Sequence, residues 1–262
     1  MADTFPTGCF IWFELLARDP EAAEEFYAPV MGWTTEVWEG GEKPYTMWMN
    51  GHRPLGGVLA LPQEAQDQGA PPLWLAYVAT PDVEETLEKA LAQGAELLAG
   101  IMEVASVGKM AILKDPQGAI FAIYTPEAVP PDRGSPSLRE FSWHELLTSD
   151  PEAAFTFYQS LFGWEKTEAL DMGELGIYQM YRRPGEAFDL GGIYKTPPQI
   201  PAPPHWLLYV RVPAMEEALK AVQAGGGQVV SGPREVPGGD LIAQCLDPEG
   251  AAFALHWVPG TD

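Results

Sequence analysis

The stretch WFELLARDPEAAEEFYAPVMGW at residues 12–33 recurs as WHELLTSDPEAAFTFYQSLFGW at residues 143–164. In both copies a short segment with strand-like alternation of its side chains precedes Asp-Pro. This pattern is typical of a strand followed by a helix with Asp as its N-cap and Pro in its first turn. A glycine, Gly32 or Gly163, then ends the predicted helix. The same strand and helix are therefore predicted twice, 131 residues apart.

The repeat continues through the rest of the chain. Its later landmarks are Gly56-Gly57 with Gly191-Gly192, Trp74 with Trp206, Tyr77 with Tyr209, Asp115-Pro116 with Asp247-Pro248, and Phe121 with Phe253. A period this long indicates a duplicated domain and not a solenoid array. We expect a first domain at 1–126, an exposed Pro- and Ser-rich linker at 127–137, and a second domain at 138–262.

Within each half, the alternation and the turn residues predict the order strand–helix–strand–strand–strand, twice over. This order predicts an α+β fold in which two βαβββ modules form one curved mixed sheet with helices on its outer face. The concave face would then be open to a ligand.

Composition narrows the classes of partner. The formal net charge is −22, which disfavours nucleic acid because the phosphate backbone is also negative. No apolar run has the length of a membrane span, and the N-terminus lacks the pattern of a signal peptide. Two cysteines, Cys9 and Cys245, stand at unmatched positions of the two halves, which favours reduced thiols in the cytoplasm.

The motifs of each half resemble the vicinal oxygen chelate superfamily, which includes glyoxalase I, bleomycin-resistance proteins and extradiol dioxygenases. The resemblance rests on Trp-x-Glu-Leu, on the Asp-Pro-x-x-Ala-x-x-Phe-Tyr helix and on Asp-Pro-x-Gly-Ala-x-Phe, each present twice and in order. It covers almost the whole chain outside the linker. It implies two tandem domains of this fold, similar to glyoxalase-like proteins, and a superfamily that contains both metalloenzymes and metal-free binders.

The resemblance also implies where a metal would bind, and those positions carry no ligand. In this sequence they fall on Trp12 and Trp143, near Leu75 and Leu207, on Ala122 and Ala254, and on the glycine pairs. Indole and methyl groups cannot coordinate a transition metal. We therefore expect no metal and no cofactor. His144 stands one residue from a ligand position, but strand alternation predicts that it faces the helix, as Phe13 does.

Alternation along the strands places a different set of side chains on the concave faces. The predicted ligand-binding residues are Trp12, Glu14, Trp74, Tyr77 and Tyr124 in the first half and Trp143, Glu145, Trp206, Tyr209 and His256 in the second. A carboxylate among aromatic rings favours a cationic or aromatic ligand. The alternative is that the two Glu residues and the Trp residues recur because they serve the fold.

These observations favour a metal-independent small-molecule-binding protein, with a drug- or metabolite-sequestering role like that of bleomycin-resistance proteins. The alternative is an enzyme of glyoxalase, lyase or hydroxylase type, with or without a metal. Catalytic residues are not identifiable from the sequence. The expected partner is a small molecule, with no nucleic acid and no membrane, bound by a monomer of two fused domains or a weak homodimer.

Overall fold

The computed structural model describes residues 5–41, 43–128, 134–198 and 202–260. The first half contains β1 (Phe10–Ala17), α1 (Pro20–Met31), β2 (Thr34–Trp38), β3 (Tyr45–Asn50), β4 (Arg53–Ala60), α2 (Gln63–Asp67), β5 (Leu73–Ala79), α3 (Val83–Ala92), β6 (Glu96–Val104), β7 (Gly108–Lys114) and β8 (Ile120–Pro126). The second half contains β9 (Phe141–Thr148), α4 (Pro151–Phe162), β10 (Glu165–Asp171), β11 (Ile177–Arg182), β12 (Gly191–Lys195), β13 (His205–Arg211), α5 (Met215–Ala224), β14 (Gln228–Glu235), β15 (Leu241–Leu246) and β16 (Ala252–Trp257).

The strands form two eight-stranded mixed sheets, which confirms the predicted α+β fold. The strand orders are β2-β3-β4-β1-β5-β8-β7-β6 and β10-β11-β12-β9-β13-β16-β15-β14. In each module the first and last strands pair in parallel, as β1 does with β4 and β5 with β8, whereas hairpin neighbours such as β3–β4 and β7–β8 are antiparallel. This pairing is the one that a helical crossover followed by two hairpins produces.

The helix signals predicted from Asp-Pro are also confirmed. Asp19 and Asp150 accept hydrogen bonds from the backbone N–H groups of Ala22 and Ala153, each at 3.1 Å. The glycines that end α1 and α4 have φ angles of 70° and 72°. That left-handed conformation favours glycine, because other residues have a Cβ that crowds the backbone there.

The residue patterns predict most helix and strand bounds to within one or two residues, for example Val83–Ala92 for α3 and Leu241–Leu246 for β15, but β14 differs. We expect it to end at Val230, before Ser231-Gly232-Pro233, whereas it continues to Glu235. Its pairing with β15 shifts register on both sides of Ser231. These irregularities let the strand pass through residues that usually interrupt a strand. The short helix α2 was not predicted.

The described residues cluster into two compact units, and neither unit follows one repeat. One unit takes residues from Met1–Trp12, Ala76–Gly134 and His144–Trp206, and the other from Phe13–Leu75, Ser135–Trp143 and Leu207–Asp262. Each unit thus combines one module of the first repeat with one module of the second. The predicted domain boundaries describe the repeats and stay a prediction, and residues 129–133 of the predicted linker lie outside the described residues.

Each unit contains a buried pair formed by a tyrosine of the Phe-Tyr motif and an aspartate of the other repeat. Tyr27 in α1 donates its hydroxyl hydrogen to Asp247 at 3.1 Å, and Tyr158 in α4 donates to Asp115 at 2.9 Å. The Oδ1 atom of Asp115 also accepts backbone N–H groups of the turn that follows it, as does that of Asp247. The repeated Asp-Pro-x-Gly motif therefore joins a turn to a helix from the other repeat.

Burial sets the protonation of these groups. It raises the pKa of Tyr27 and of Tyr158 well above the usual value, and the neighbouring aspartate raises each pKa further. Both phenols therefore stay protonated and donate hydrogen bonds at neutral pH. Burial also raises the pKa of Asp115 and of Asp247, although the hydrogen bonds that they accept favour the ionised form. Among the described residues, no helix has the length and apolar character needed to cross a membrane.

Candidate functional site

A buried glutamate held by a tyrosine occurs once in each repeat. Glu14 on β1 is 6% exposed and accepts a hydrogen bond of 2.7 Å from the hydroxyl of Tyr45 on β3. Glu145 on β9 is 4% exposed and accepts a hydrogen bond of 2.9 Å from Tyr178 on β11. Burying a carboxylate is costly without such partners, so each tyrosine helps to keep the acidic group inside the protein. We call these the two Glu–Tyr pairs.

The glycine pairs of the repeat make room for these tyrosines. Gly57 on β4 lies opposite Glu14, and a Cβ at Gly57 would stand 2.0 Å from the Tyr45 hydroxyl oxygen. Gly192 on β12 lies opposite Glu145, and a Cβ there would stand 2.1 Å from the Tyr178 ring. Each tyrosine therefore crosses over a glycine of the intervening strand to reach its glutamate. Any larger residue at this position would occupy the volume of the ring.

The tryptophans of Trp-x-Glu stand two residues before the glutamates. Trp12 and Trp143 are partly exposed, in contrast to the buried residues that follow them. Residues two apart on a strand share a face, so each indole is on the same side of its strand as the neighbouring glutamate where the strand is regular. Their role in ligand binding stays a prediction.

Trp74 and Trp206 lie in the aromatic core of the compact units. Each is 4% exposed, and their indole N–H groups donate to the hydroxyls of Tyr27 and Tyr158 at 3.0 and 3.1 Å. Trp74 also packs edge-on against the Tyr27 ring, with centroids 5.2 Å apart. These contacts give both indoles a structural role, and the prediction that they line a ligand cavity is untested.

The remaining predicted tyrosines make side-chain contacts within their own compact units. Tyr124 donates to the carbonyl oxygen of Val107 at 2.9 Å, and burial raises the pKa of Tyr124, so the phenol is neutral at physiological pH. The ring of Tyr77 meets that of Tyr124 edge-on at 6.3 Å. Tyr209 accepts a hydrogen bond of 3.0 Å from the Gln244 amide.

His256 stands where the first repeat has Tyr124, and it has two side-chain partners. Its Nδ1 atom lies 2.8 Å from the hydroxyl of Ser142, and its Nε2 atom lies 2.8 Å from a carboxylate oxygen of Asp240. We expect from the sequence that Glu145 faces the same cavity as His256. The structure places these two residues in different compact units, so that juxtaposition stays a prediction.

His144, one residue from a predicted ligand position, is a core residue. It is 5% exposed, its ring stacks on Phe10 with centroids 3.9 Å apart, and its Nδ1 atom lies 2.8 Å from the Leu190 carbonyl oxygen. Burial lowers the pKa of His144 to about 4. Phe13, its counterpart in the first repeat, stacks in the same way on Phe141 at 3.8 Å. The expectation that His144 faces the helix stays a prediction.

The donor set does not fit a transition metal. Within the part of the chain that the structure describes, no three His, Cys, Asp or Glu side chains form a group that could hold a metal ion. In the first repeat, the positions that would supply ligands carry Trp12, Gly57, Leu75 and Ala122. The side chains of these residues offer no donor suited to a metal ion. Metal ions in proteins need several N, O or S donors.

The Glu–Tyr pairs include two residues that our sequence interpretation missed. Tyr45 and Tyr178 belong to a repeated Tyr-x-Met segment, residues 45–47 and 178–180. That repetition could have identified them. The partner of each tyrosine, however, stands 31 or 33 residues earlier in the chain, and strand alternation contains no information about such pairing.

A family model of the Glyoxalase/Bleomycin resistance protein/Dioxygenase superfamily matches residues 10–123 and again residues 140–255. Two curated relatives also match nearly the whole chain. A protein named putative glyoxylase CFP32 from Mycobacterium tuberculosis is 28% identical over 251 residues, covering 93% of this chain and 92% of the relative. The anthracycline biosynthesis protein DnrV from Streptomyces peucetius is 28% identical over 269 residues, covering 96% and 94%.

Solved structures share the fold at low sequence identity. The Mn(II)-bound glyoxalase from Novosphingobium aromaticivorans has a TM-score of 0.67 at 14% identity, covering 97% of this chain and 83% of that one. The 2,2',3-trihydroxybiphenyl 1,2-dioxygenase from Sphingomonas wittichii has a TM-score of 0.65 at 14% identity, covering 97% and 91%. At this identity the likeness concerns the fold alone.

Proposed function

Since the chain belongs to the glyoxalase/bleomycin-resistance/dioxygenase superfamily, we propose that it is a metal-independent small-molecule-binding protein that sequesters a drug or metabolite. The observation that carries this proposal is the Glu–Tyr pair, which both repeats build from the same three strands. A buried carboxylate is a charged hydrogen-bond acceptor, so it can bind a cationic or hydroxylated group of a ligand.

The ligand class follows from the chemistry of this pair and its surroundings. A buried carboxylate, with a tryptophan two residues before it on the same strand, favours a cation through charge and through contact with an aromatic face. The net charge of −22 also attracts a cationic ligand from solution. The name of the relative DnrV refers to anthracycline biosynthesis, which supports a hydroxylated aromatic ligand. An anthracycline with an amino sugar combines these properties, and its fluorescence reports binding.

The test is a fluorescence titration of such an anthracycline into wild-type protein and into Glu14→Gln, Glu145→Gln, Tyr45→Phe and Tyr178→Phe. Each Glu→Gln variant should weaken binding at its own site at least tenfold, because a hydrogen bond to a charged group contributes about 1.5–3 kcal/mol. The Tyr→Phe variants should weaken it less. Glu25→Gln, on an exposed part of α1, removes the same charge and should bind like the wild type.

The proposal that ligand binding needs no metal is tested with the same titration in the presence of a chelator and after addition of Mn²⁺. We expect the same affinity in each case, and metal analysis of purified protein should find less than stoichiometric metal. Stoichiometric metal that is lost in Glu145→Gln would overturn the proposal. It would favour the alternative, an enzyme of glyoxalase, lyase or hydroxylase type; the name of the relative CFP32, putative glyoxylase, points to the first of these.

A further inference from the structure

The second repeat contains a hydrogen-bonded chain of serine, histidine and aspartate that includes no residue of the Glu–Tyr pairs. The Ser142 hydroxyl oxygen lies 2.8 Å from His256 Nδ1, and His256 Nε2 lies 2.8 Å from Asp240 Oδ2. The histidine and aspartate side chains are 15% and 29% exposed, so both reach solvent. All three residues belong to the same compact unit.

The two hydrogen bonds define the direction in which a proton can move. A carboxylate only accepts, so Asp240 holds the hydrogen on Nε2 of neutral His256 and leaves the lone pair of Nδ1 towards Ser142. The serine hydroxyl then donates to Nδ1 at 2.8 Å. Its other acceptor, the carbonyl oxygen of Tyr209, is more distant at 3.4 Å. This is the proton path of a serine hydrolase, with the roles of the two ring nitrogens exchanged.

The first repeat shows that the fold does not require this chain. The positions that match Ser142, Asp240 and His256 carry Ile11, Gly108 and Tyr124. The sheet of the first repeat has the same strand order without any of the three groups. A network that only supported the fold would be expected in both repeats, as the Tyr27–Asp247 and Tyr158–Asp115 hydrogen bonds are.

We propose that Ser142, His256 and Asp240 form a nucleophilic triad that cleaves an ester or another activated acyl compound. Ser142 Oγ attacks the carbonyl carbon while its proton passes to His256 Nδ1. The bond to the leaving oxygen then breaks, and that oxygen takes the proton from Nδ1, which leaves an acyl-serine. Water attacks the acyl-serine by the same proton transfers and releases the carboxylic acid. Asp240 is a positioning residue, because it acts through the imidazole.

The test is covalent labelling of the full chain with a fluorophosphonate. Attack by Ser142 Oγ forms the O–P bond, expels fluoride and releases the serine proton through His256. Intact-mass and peptide analysis should find one phosphonyl group, on Ser142. With p-nitrophenyl acetate the protein should release a burst of nitrophenolate that approaches one equivalent. Ser142→Ala should abolish both signals, whereas Ser160→Ala should change neither, since Ser160 bonds to Gln93 and to the Phe157 carbonyl instead.

Substitutions at two further positions distinguish a catalytic role of the triad from a role in stabilising the fold. His256→Tyr installs the residue of the first repeat and should slow labelling at least 100-fold, the usual contribution of a general base, without lowering the melting temperature. Asp240→Asn can still accept a hydrogen bond from Nε2 but has no charge, and it should slow labelling at least tenfold. Asp240→Glu restores the carboxylate and should recover part of the rate.

Labelling spread over several serines, or no labelling of Ser142 in folded protein, would overturn the triad. Equal labelling rates in wild type, His256→Tyr and Asp240→Asn would do the same, because a serine without a base would then explain the reaction. The outcome is independent of the proposed binding function, because anthracycline affinity tests the Glu–Tyr pairs whereas labelling of Ser142 tests the triad. Glu25→Gln, on an exposed part of α1, should leave the labelling of Ser142 unchanged.

Discussion

One matched pair of residues shows how the two repeats differ at the scale of a single side chain. Phe13 and His144 occupy the same place in β1 and β9, and both stack on a phenylalanine, Phe141 or Phe10. The histidine adds a ring hydrogen bond to the Leu190 carbonyl oxygen, and the backbone N–H of His144 donates to that same oxygen. The imidazole therefore fills the volume of a core aromatic ring and brings a titratable group into the core.

His144 should make stability depend on pH. Burial lowers its folded-state pKa to about 4, below the usual value of about 6.5 in an unfolded chain. As the pH falls, the unfolded chain therefore binds the proton before the folded protein does. The contribution of neutral His144 to the free energy of unfolding is fully present above about pH 6.5 and decreases by about 3 kcal/mol as the pH falls towards 4. His144→Phe should remove this component. Urea unfolding between pH 4 and 8 measures it, with His52→Gln, an exposed histidine, as the control.

In the control variant the free energy of unfolding should depend on pH as it does in the wild type. In His144→Phe it should depend less on pH in this range. The prediction is wrong if His144→Phe and the wild type lose stability in parallel below pH 6.5.

At the scale of the element, the two glycines of each pair have different tasks. A Cβ at Gly56 would stand 1.7 Å from the backbone oxygen of Phe13, so this glycine allows β4 to pair closely with β1. A Cβ at Gly57 would instead collide with the end of the Tyr45 side chain. Backbone in a central sheet cannot move away cheaply, whereas a side-chain end can.

We therefore expect two adjacent substitutions to differ in their effects on stability and on ligand binding. Gly56→Ala should destabilise the protein by about 3 kcal/mol or more through a disturbed strand pair. Gly57→Ala should cost less stability but weaken ligand binding at the first site as Tyr45→Phe does, because the displaced ring no longer holds Glu14. Thermal unfolding and the anthracycline titration measure the two effects. Equal stability losses in both variants, with unchanged binding in Gly57→Ala, would contradict this division.

One phenol, that of Tyr27, connects helix α1 to the second repeat and contributes to stability. Tyr27→Phe removes the donor to Asp247 and the acceptor of Trp74, all of them buried. Leaving buried polar groups unsatisfied costs about 1–3 kcal/mol, so we expect a loss of about 2 kcal/mol in the free energy of unfolding. Tyr158→Phe should give a similar loss, because it makes the matching contacts with Asp115 and Trp206. Calorimetry of both variants checks this, and an unchanged melting temperature in either would argue against a shared role.

At the scale of the whole molecule, each compact unit combines one module of the first repeat with one module of the second. Helices α1 and α5 lie in one unit and α3 and α4 in the other, although α1 and α3 belong to the first repeat. The side chain of Glu249 accepts the backbone N–H groups of Arg18 and Asp19, so even the start of α1 is held by the second repeat. Each repeat alone exposes surface that the other repeat buries.

Cutting the chain in the predicted linker should therefore not yield two independent domains. We expect residues 1–130 or 134–262 expressed alone to aggregate or to pair with a second copy of themselves, because each lacks half of both units. Co-expressed fragments should associate into a complex with the circular dichroism and melting behaviour of the intact chain. Size-exclusion chromatography with light scattering measures this, and a stable monomer of either fragment would contradict it.

The amino-acid sequence by itself determined the duplication, the α+β class, the superfamily, the helix caps and most strand boundaries, because these follow from residue order and local periodicity. Only the tertiary structure decided which side chains meet. Tyr45 reaches Glu14 over Gly57, Tyr27 binds Asp247, and Ser142 meets His256 from a strand 114 residues away. Such contacts depend on strand register and on the exchange of modules between repeats, which bring together residues far apart in the chain and leave no periodic pattern in it.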